Sequence, residues 1–536
     1  LAKSYRGKVK CIYIDPPYNT GSDDFAYNDT FNFTPDDLVD QIGITEEEAE
    51  RILDLQGKAS HSAWLTFMLP RLVIAKTLLT PDGAIFASID ANEQANLRLL
   101  MDEVFGEDNL IGQVSVPKGT TTGQDAGDMG SSIDYMLCYS RDKREFVLSG
   151  LPLDEEDQAR FNRSDSHGRY SMLQFRKTGN NDRREDRPNL YFGLTAPDGT
   201  EVFPIGPSGY ESRWRGDREL FDSWAEKDMI VWEQKEEGWK PYVKYYLEGR
   251  TKSVSNLWEG FEWENEFWSG VEGNKKATHD VTALFGEKVF QNPKPVGLIR
   301  RALEIATSPG SLVVDFFSGS ATTAHSALLS NAENGSGLKF ILVQIGEEID
   351  PSSNTVSRNA YKMGFKTIDE LGRKRIELAA DKIKQDTGAD IDYGFKHYTL
   401  ETPPQSVIDS LEDFAPDDNL FSDDPLESLD FDGTTADNVL LTTWIVQDGY
   451  GLNPEIEKVT LQNYELTVVG NTAYAIDGGM SSDDIRVLTQ KLEDGEIDIT
   501  NFVYFHTAIG FERLRELDSA LRHLRNRSSV TITARW

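Results

Sequence analysis

Cysteine is the residue that this sequence has least of: its 536 residues include two, Cys11 and Cys138. Both lie inside short apolar runs, which is typical of buried and unreactive thiols. Two cysteines cannot form a disulfide framework or a multi-cysteine zinc cluster. His61, His279 and His325 are isolated in the sequence, and no metal site is predicted.

Long hydrophobic runs are also missing. No stretch of eighteen or more apolar residues occurs, and nothing resembles a signal peptide. We therefore expect a soluble, cytoplasmic protein. The chain begins with Leu1 instead of Met, which is typical of a fragment or a processed chain. Its length favours roughly three or four domains.

Basic residues are outnumbered, 55 against 90 acidic ones, for a formal net charge of −35. Taken alone, this balance argues against a nucleic-acid partner, because phosphate binding needs a cationic surface. An acidic shell also maintains solubility in a salt-rich cytoplasm, so we hypothesise a halophilic or salt-tolerant source. The segment 158–218 differs, with eleven basic and eight acidic residues.

The pattern of the chain predicts an α/β protein with an insert. Apolar runs that end in Asp, at 8–15 and 83–90, are typical of parallel strands buried on both faces. Between them the spacing predicts a helix over 62–79 with a kink or break at Pro70. A second helix follows, with Asn92 as its expected cap. The predicted domains are 1–140, the insert 141–280, 281–400, an acidic linker 401–437, and a small α/β domain 438–536.

The insert has seven of the ten tryptophans, and we expect it to be rich in β structure. Its tryptophans favour a domain core over a base-stacking platform. Its basic residues are candidates for phosphate contacts, although a salt-bridged surface would have the same composition. These candidates are Arg176, Lys177, Arg183, Arg184, Arg213 and Arg215. The linker, with twelve acidic residues, no basic ones and four prolines, is expected to be solvated.

The motif DPPY, residues 15–18, follows the first predicted strand, where open α/β sheets bind their ligands. Pro16 and Pro17 have no N–H group, so this backbone presents carbonyl acceptors only. The Asp15 carboxylate beside a rigid carbonyl suits an NH₂ group, and Tyr18 offers a flat face for the ring that carries it. An ordinary turn at the end of a strand is the alternative, since Asp and Pro are common turn residues.

A second motif, DFFSGSATT at 315–323, is a strand followed by a turn of small residues and the start of a helix. Gly319 permits close approach to the backbone, and the first amides of the helix can hold polar ligand groups. The turn has neither the glycine spacing of a dinucleotide fingerprint nor the lysine of a phosphate loop. A nucleoside-like ligand such as S-adenosylmethionine remains.

These motifs and the blocks around them resemble the DNA amino-methyltransferases, in particular the modification (Mod) subunits of type III restriction–modification systems. The similar blocks include YRGKVKCIYIDPPYNTG, AWLTFMLPRLVIAKTLLTPDGAIFASIDANE and VVDFFSGSATTAHSAL, in the family's permuted order. The resemblance implies a doubly wound, mostly parallel sheet of the S-adenosylmethionine-dependent methyltransferase type. It also implies that the insert 141–280 is a target-recognition domain.

The resemblance implies a role for each matched position. Asp15, Pro16, Pro17 and Tyr18 match the catalytic motif. The residues that match the S-adenosylmethionine site are Asp315, Phe317, Gly319, Ser320, Ala321, Thr322, Lys294, Pro295 and Gln344. Two of them depart from the family pattern. Ala321 replaces a glycine that many relatives have, and Gln344 replaces an acid that related methyltransferases often use for the ribose hydroxyls.

The function implied is transfer of a methyl group from S-adenosylmethionine to the N6 amine of a flipped adenine in duplex DNA. Implied partners are double-stranded DNA, a second copy of the chain and a separate Res subunit. The sequence contains no GxxxxGK[ST], so the chain cannot itself be the ATP-driven translocase. Three alternatives stay open: cytosine-N4 methylation, methylation of RNA or a protein amide, and a non-catalytic DNA-specificity subunit.

Overall fold

The computed structural model describes residues 2–19, 61–117, 133–153, 155–258, 273–400, 435–525 and 529–535. The chain divides into two compact units, one formed by 1–147 with 257–536 and the other by 148–256. The second unit lies within the predicted insert 141–280 and is shorter at both ends.

The strands alternate with helices in the first part of the chain and again after the insert. In chain order the strands are β1 (Val9–Ile14), β2 (Leu79–Ile89), β3 (Leu110–Pro117), β4 (Ile133–Ser140), β5 (Arg163–Asp165), β6 (Gly168–Gln174), β7 (Leu194–Thr195), β8 (Glu201–Val202), β9 (Ile230–Lys235), β10 (Gly238–Tyr246), β11 (Leu312–Asp315), β12 (Lys339–Leu342), β13 (Glu457–Thr460), β14 (Glu465–Val469), β15 (Thr472–Ala475), β16 (Asn501–Phe505) and β17 (Thr531–Arg535).

The helices of the described residues include those predicted over 62–79, after Asn92 and after the 315–323 motif. They are α1 (Ala2–Tyr5), α2 (His61–Leu78), α3 (Gln94–Phe105), α4 (Glu155–Ala159), α5 (Arg218–Glu226), α6 (Gly273–Phe285), α7 (Val296–Ala306), α8 (Thr322–Asn334), α9 (Thr355–Lys362), α10 (Ile368–Thr387), α11 (Ala436–Gln447), α12 (Ser482–Glu493) and α13 (Phe511–Arg522). Short 3₁₀ turns lie at Glu107–Asn109, Arg184–Asp186 and Pro188–Leu190.

The central sheet has the strand order β12-β11-β1-β2-β4-β3. β1 pairs in parallel with β11 and with β2, and β11 pairs in parallel with β12. β4 pairs antiparallel with both β2 and β3. The predicted α/β class with a mostly parallel sheet is confirmed.

β1 is central because its side chains are apolar on both faces. Val9, Cys11, Ile12 and Ile14 are fully buried, as a parallel strand covered by helices on both sides requires. Burial also raises the pKa of the Cys11 thiol to about 12, so this cysteine is an inert core residue, as its apolar surroundings in the sequence predict.

Two local predictions about helix α2 and helix α3 need correction. Helix α2 continues through Pro70, so the predicted break does not occur. Asn92 does not cap helix α3, because the N-cap position is the next residue, Glu93, which makes no side-chain cap. Asn92 instead donates to the Asp90 carboxylate. Helix α10, in contrast, begins with a capping box formed by Thr367 and Glu370.

The unit 148–256 is built from short β structure, as expected for the insert. Its larger sheet is antiparallel, in the order β5-β6-β10-β9, and β7 pairs with β8 in a second, two-stranded sheet. A small core of aromatic rings forms around Phe175, which stacks on Trp214 and contacts Phe221. Trp214 is almost completely buried, so this tryptophan belongs to the core.

The C-terminal segment forms a five-stranded sheet in the order β13-β14-β15-β16-β17. Helices α12 and α13 cover one face through Leu488, Leu517 and Leu521, all buried. The predicted linker 401–437 lies outside the described residues up to 434, and its last two residues already belong to α11. Among the helices that the structure describes, none is both long and apolar enough to span a membrane.

Candidate active site

The two predicted motifs meet because β1 and β11 are neighbours in the sheet. Their parallel register pairs Cys11 with Val313 and Ile12 with Val314. Asp15 follows the end of β1, and Asp315 is the last residue of β11. The carboxyl ends of parallel strands share one edge, so both motifs open onto that edge, where α/β sheets bind ligands.

The Asp15 carboxylate has two donors on the same oxygen. The Tyr18 hydroxyl donates to Oδ1 at 2.9 Å, and Lys294 Nζ lies 3.1 Å from that oxygen. In the part of the chain that the structure describes, nothing donates to Oδ2. Burial raises the pKa of Asp15, and Lys294 and the Tyr18 hydroxyl oppose that rise. Asp15 is therefore oriented through one oxygen and keeps the other as a free acceptor.

The two prolines of the motif differ in what their carbonyl groups do. The indole N–H of Trp64 donates to the Pro17 carbonyl at 2.8 Å, which ties the motif to helix α2. The Pro16 carbonyl accepts no hydrogen bond from the described residues. The available backbone acceptor beside Asp15 is consequently that of Pro16.

The structure places Lys294 against the DPPY motif, whereas the resemblance implied a contact with the cofactor. Its Nζ pairs with Asp15 and lies 4.6 Å from the centroid of the Tyr18 ring. Pro295 is the N-cap residue of helix α7, with a φ of −64°, so the lysine projects from the start of a buried helix. The structure thus brings Lys294 to the DPPY motif.

Asp315 shapes the turn after β11 from inside. Its Oδ1 accepts from the Phe317 amide at 3.0 Å, and its Oδ2 accepts from the Thr323 hydroxyl at 2.5 Å. Burial raises the pKa of Asp315 to about 7, and the charge of Asp15 contributes to the rise. Both carboxylate oxygens are thus used within the protein.

The turn itself depends on two left-handed residues. Gly319 has a φ of +46° and Ala321 a φ of +59°, a conformation that strains alanine but not glycine. The Gly319 amide donates to Gln344 Oε1 at 2.7 Å, and Gln344 Nε2 donates to the Ile345 carbonyl at 3.2 Å. Gln344 lies just beyond β12, and its amide holds the turn.

Arg375 is a residue of this turn that the sequence analysis did not identify. It lies on helix α10, is almost fully buried, and donates from Nη1 to the Ser320 carbonyl, to Ser320 Oγ and to Thr322 Oγ1 at 2.6–3.1 Å. Burial lowers its pKa to about 10. Arg375 lies four residues after Leu371 and four before Ala379. This spacing places it on the apolar face of the helix and could have identified it as a buried residue.

Helix α10 also approaches the turn closely. A Cβ atom placed on Gly372 would lie 3.0 Å from the Gly319 carbonyl oxygen, so a larger residue would require the turn or the helix to shift slightly. The result is a rigid loop of small side chains at the N-terminus of the thirteen-residue helix α8. Such an arrangement fits a nucleoside-like ligand with polar groups, as predicted for S-adenosylmethionine.

Glu93 is a second residue of the site that the sequence analysis did not identify. It is fully buried. Its Oε1 accepts from Asn19 Nδ2 at 2.7 Å and lies 2.6 Å from His61 Nδ1, and its Oε2 accepts from Asn96 Nδ2 at 2.8 Å. Asn19 directly follows the DPPY motif and has a φ of +56°. Glu93 therefore fixes the end of the DPPY turn to helices α2 and α3.

The six basic residues predicted for DNA lie in the unit 148–256 and fall into two groups. Arg176 is buried, 3.7 Å from Asp182, and Arg184 pairs with Glu211 at 2.7 Å. Arg183 lies over the Tyr210 ring. The described residues place no carboxylate within ion-pair distance of the remaining three, Lys177, Arg213 and Arg215.

The buried Arg375 predicts a specific defect. Arg375→Met should leave Ser320 and Thr322 oxygens without a donor and loosen the turn, because hydrogen bonds from charged donors are worth about 1.5–3 kcal/mol. We expect the dissociation constant of S-adenosylmethionine, measured by titration calorimetry, to rise by about tenfold or more. Lys374→Met removes an exposed cation from the same helix and serves as the control. Equal affinities in both variants would contradict the assignment.

Glu93 predicts an effect on stability. Glu93→Gln replaces a carboxylate that holds three groups with an amide that repels one of its donors, so the midpoint of thermal unfolding should fall, corresponding to about 2 kcal/mol. Glu103→Gln makes the same charge change at an exposed position of α3 and should leave the midpoint nearly unchanged. A fall of the same size in both variants would show that the network contributes nothing.

Comparison with known proteins gives a consistent result. A family model described as "DNA methylase" matches residues 9–354, which contain both motifs. A second one, described as "Type III R-M EcoP15I C-terminal domain", matches residues 435–530. Among solved structures, a PvuII DNA methyltransferase (cytosine-N4-specific) is 11% identical with a TM-score of 0.29, over 70% of this chain and 86% of that chain.

Three curated relatives are similar over most of their length. The type III restriction–modification enzyme StyLTI Mod subunit of Salmonella typhimurium is 31% identical over 98% of this chain and 80% of its own. The EcoPI Mod subunit of Escherichia phage P1 is 32% identical over 99% and 82%. The type II methyltransferase M.KpnI of Klebsiella pneumoniae is 31% identical over 71% and 84%. The chain therefore belongs to the DNA methylase family and, within it, to the Mod subunits of type III restriction–modification enzymes.

Proposed function

We propose that this chain methylates the N6 amine of an adenine that has been flipped out of duplex DNA, as the modification subunit of a type III system. The observation that carries the proposal is the pair of free acceptors at the sheet edge, Asp15 Oδ2 and the Pro16 carbonyl. Both lie beside the turn 318–321 that the strand register brings next to them. Membership of the family makes S-adenosylmethionine the methyl donor.

The pair of acceptors suits an exocyclic amine because such a group has two hydrogens. When both are accepted, the nitrogen lone pair is drawn out of conjugation with the ring and directed away from the ring plane. This positions a weak nucleophile without the need for a strong base. S-adenosylmethionine supplies a methyl group on a sulfonium, which is electrophilic enough for such a nucleophile.

The amine lies inside the base stack of duplex DNA, so the base has to leave the stack before it reaches the edge of the sheet. Tyr18 is the flat side chain next to Asp15. Its hydroxyl is held by Asp15 and its ring is ready to support a planar base. Asp at position 15, where serine would suit cytosine, favours adenine.

The other partners follow from the same family membership. We propose that a separate Res subunit supplies ATP-driven cleavage, since this chain contains no GxxxxGK[ST]. We further propose that the Mod subunit acts as a homodimer. The unit 148–256, at the place of the predicted insert, is the proposed target-recognition domain.

Within that unit, Lys177, Arg213 and Arg215 are the proposed phosphate contacts. The Arg213 Nε donates to the Asn181 carbonyl at 2.6 Å, and the Arg215 Nε donates to the Gln174 carbonyl at 2.7 Å. Bonds to carbonyl groups orient a guanidinium without neutralising it. Burial lowers the pKa of Arg215, and the neighbouring Arg176 and Arg213 add to this effect. Positive charges close together attract an anion such as phosphate.

The catalytic assignment predicts the effect of Asp15→Ala. Methyl transfer from labelled S-adenosylmethionine to unmethylated phage DNA should fall below detection, because the amine loses its acceptor, while cofactor binding stays within a few-fold of wild type. Asp108→Asn, at an exposed turn, is the control for loss of one carboxylate. Sequencing of the product with single-base detection should show N6-methyladenine, whereas N4-methylcytosine would overturn the choice of base. Normal turnover by Asp15→Ala would overturn the mechanism.

The phosphate contacts predict a change in salt dependence. Removal of one contact should lower the slope of log affinity against log salt concentration by about 0.9. We expect this for Arg213→Gln on non-specific duplex DNA. Arg184→Gln, which removes a guanidinium already paired with Glu211, should keep the wild-type slope. Identical salt-dependence slopes in both variants would show that Arg213 does not contact a phosphate.

A further inference from the structure

We propose that Lys294 is a positioning residue for the catalytic carboxylate: its ammonium group holds Asp15 Oδ1, so that Oδ2 stays ionised and directed at the target amine. The proposal rests on the proposed function. It assigns Lys294 to the amine side of the reaction, whereas the resemblance of the sequence implied a contact with the cofactor.

The first support is the arrangement of donors around Asp15. Tyr18 and Lys294 both reach Oδ1, at 2.9 and 3.1 Å. Two donors on one oxygen fix the rotation of the carboxylate group about its last bond. They also leave the second oxygen to a donor from outside the protein, so the direction of Oδ2 is determined before a base binds.

The second support is the anchoring of Lys294. Pro295 follows it and has a rigid φ at the N-cap of helix α7. The helix is buried through Val296, Leu298 and Ile299, and the Ser326 hydroxyl donates to the Val296 carbonyl at 3.1 Å. The lysine backbone is thereby fixed, and its ammonium also lies over the ring of Tyr18, a favourable contact for a cation.

The third support is the charge balance around Asp15. Among the described residues, the titratable groups that interact with it are Lys294, Tyr18, Tyr13, Asp134 and Asp315. Burial and the charge of Asp134 raise the pKa of Asp15, while Lys294 and the Tyr18 hydroxyl lower it. Asp15 in turn raises the pKa of Tyr13 and of Asp315. Lys294 contributes the cation in a set that otherwise contains acids, and a protonated Asp15 could no longer accept from an amine.

The sign of the expected effect follows. Asp15 accepts only as a carboxylate, so methylation is lost as the pH falls through its pKa. The charge of Lys294 lowers the pKa of Asp15. Its removal therefore raises that pKa, and the loss of methylation begins at a higher pH. At pH values between the pKa of Asp15 in the wild type and its higher pKa in the variant, the rate of the variant divided by that of the wild type should decrease as the pH falls. The decrease should be up to about tenfold per pH unit.

The test measures methyl transfer to unmethylated phage DNA from pH 5.5 to pH 9 for wild type, Lys294→Met, Lys294→Arg and the exposed control Lys288→Met. We expect the acid limb to move to higher pH in Lys294→Met only, with Lys294→Arg close to wild type. The dissociation constant of S-adenosylmethionine should change less than threefold. Each variant is compared with itself across pH, so partial misfolding scales every rate equally and cannot imitate the shift.

Three results would overturn the inference. A rate that falls by the same factor at every pH would show a purely structural role. A weaker affinity for S-adenosylmethionine, with the acid limb of the pH profile at its wild-type position, would show that Lys294 acts on the cofactor. A rise in activity would show that the ammonium obstructs the incoming amine. Failure of the proposed function is separate, since it would appear as normal methylation by Asp15→Ala.

Discussion

The parallel pairing of β1 with β11 is the constraint on which the site depends. It joins two segments that are about 300 residues apart in sequence and places the ends of both strands at one edge of the sheet. The Asp15 carboxylate and the small-residue turn become neighbours through backbone hydrogen bonds between buried strands. Their separation is therefore set by the spacing of the strands and does not rely on side chains that could rearrange.

Buried charge is the second feature of this edge, and each case has a different solution. Asp315 uses both oxygens to shape its own turn. The Arg375 guanidinium donates hydrogen bonds to neutral oxygens of the same turn. Glu93 saturates its carboxylate with three polar partners. Among these four, Asp15 alone has an oxygen without a donor from the described residues, which is consistent with its proposed role of accepting from a ligand.

Much of this architecture is predictable from local sequence. Alternation of apolar runs and helical spacing identified β1, β2, β11 and the helices between them, because burial on both faces leaves a local pattern. The DPPY and GSATT segments were recognisable from their residue types, since proline restricts its backbone and glycine allows conformations that other residues avoid. The family resemblance, which the comparisons confirm, supplied the role of the insert.

The supporting residues were not predictable in the same way. Glu93 acts on Asn19, and Arg375 acts on Ser320, across 74 and 55 residues of sequence. Such pairs depend on how helices pack against the sheet, and a single charged residue after a strand or within a helix leaves several interpretations open. Helix α2 is a related case: Pro70 predicts a break, but the packing of Trp64, Phe67 and Leu72 in the core keeps the helix continuous.

A net charge of −35 and a DNA substrate are compatible because charge is distributed unevenly. Most arginines of the chain whose partners are described neutralise a carboxylate, as Arg184 does with Glu211. Arg213 and Arg215 are instead held by carbonyl groups in the unit 148–256. A guanidinium oriented in this way keeps its full charge and loses little conformational freedom when phosphate binds. This distribution supports the proposal that DNA contacts the chain at these arginines, because repulsion disfavours its approach to acidic surfaces.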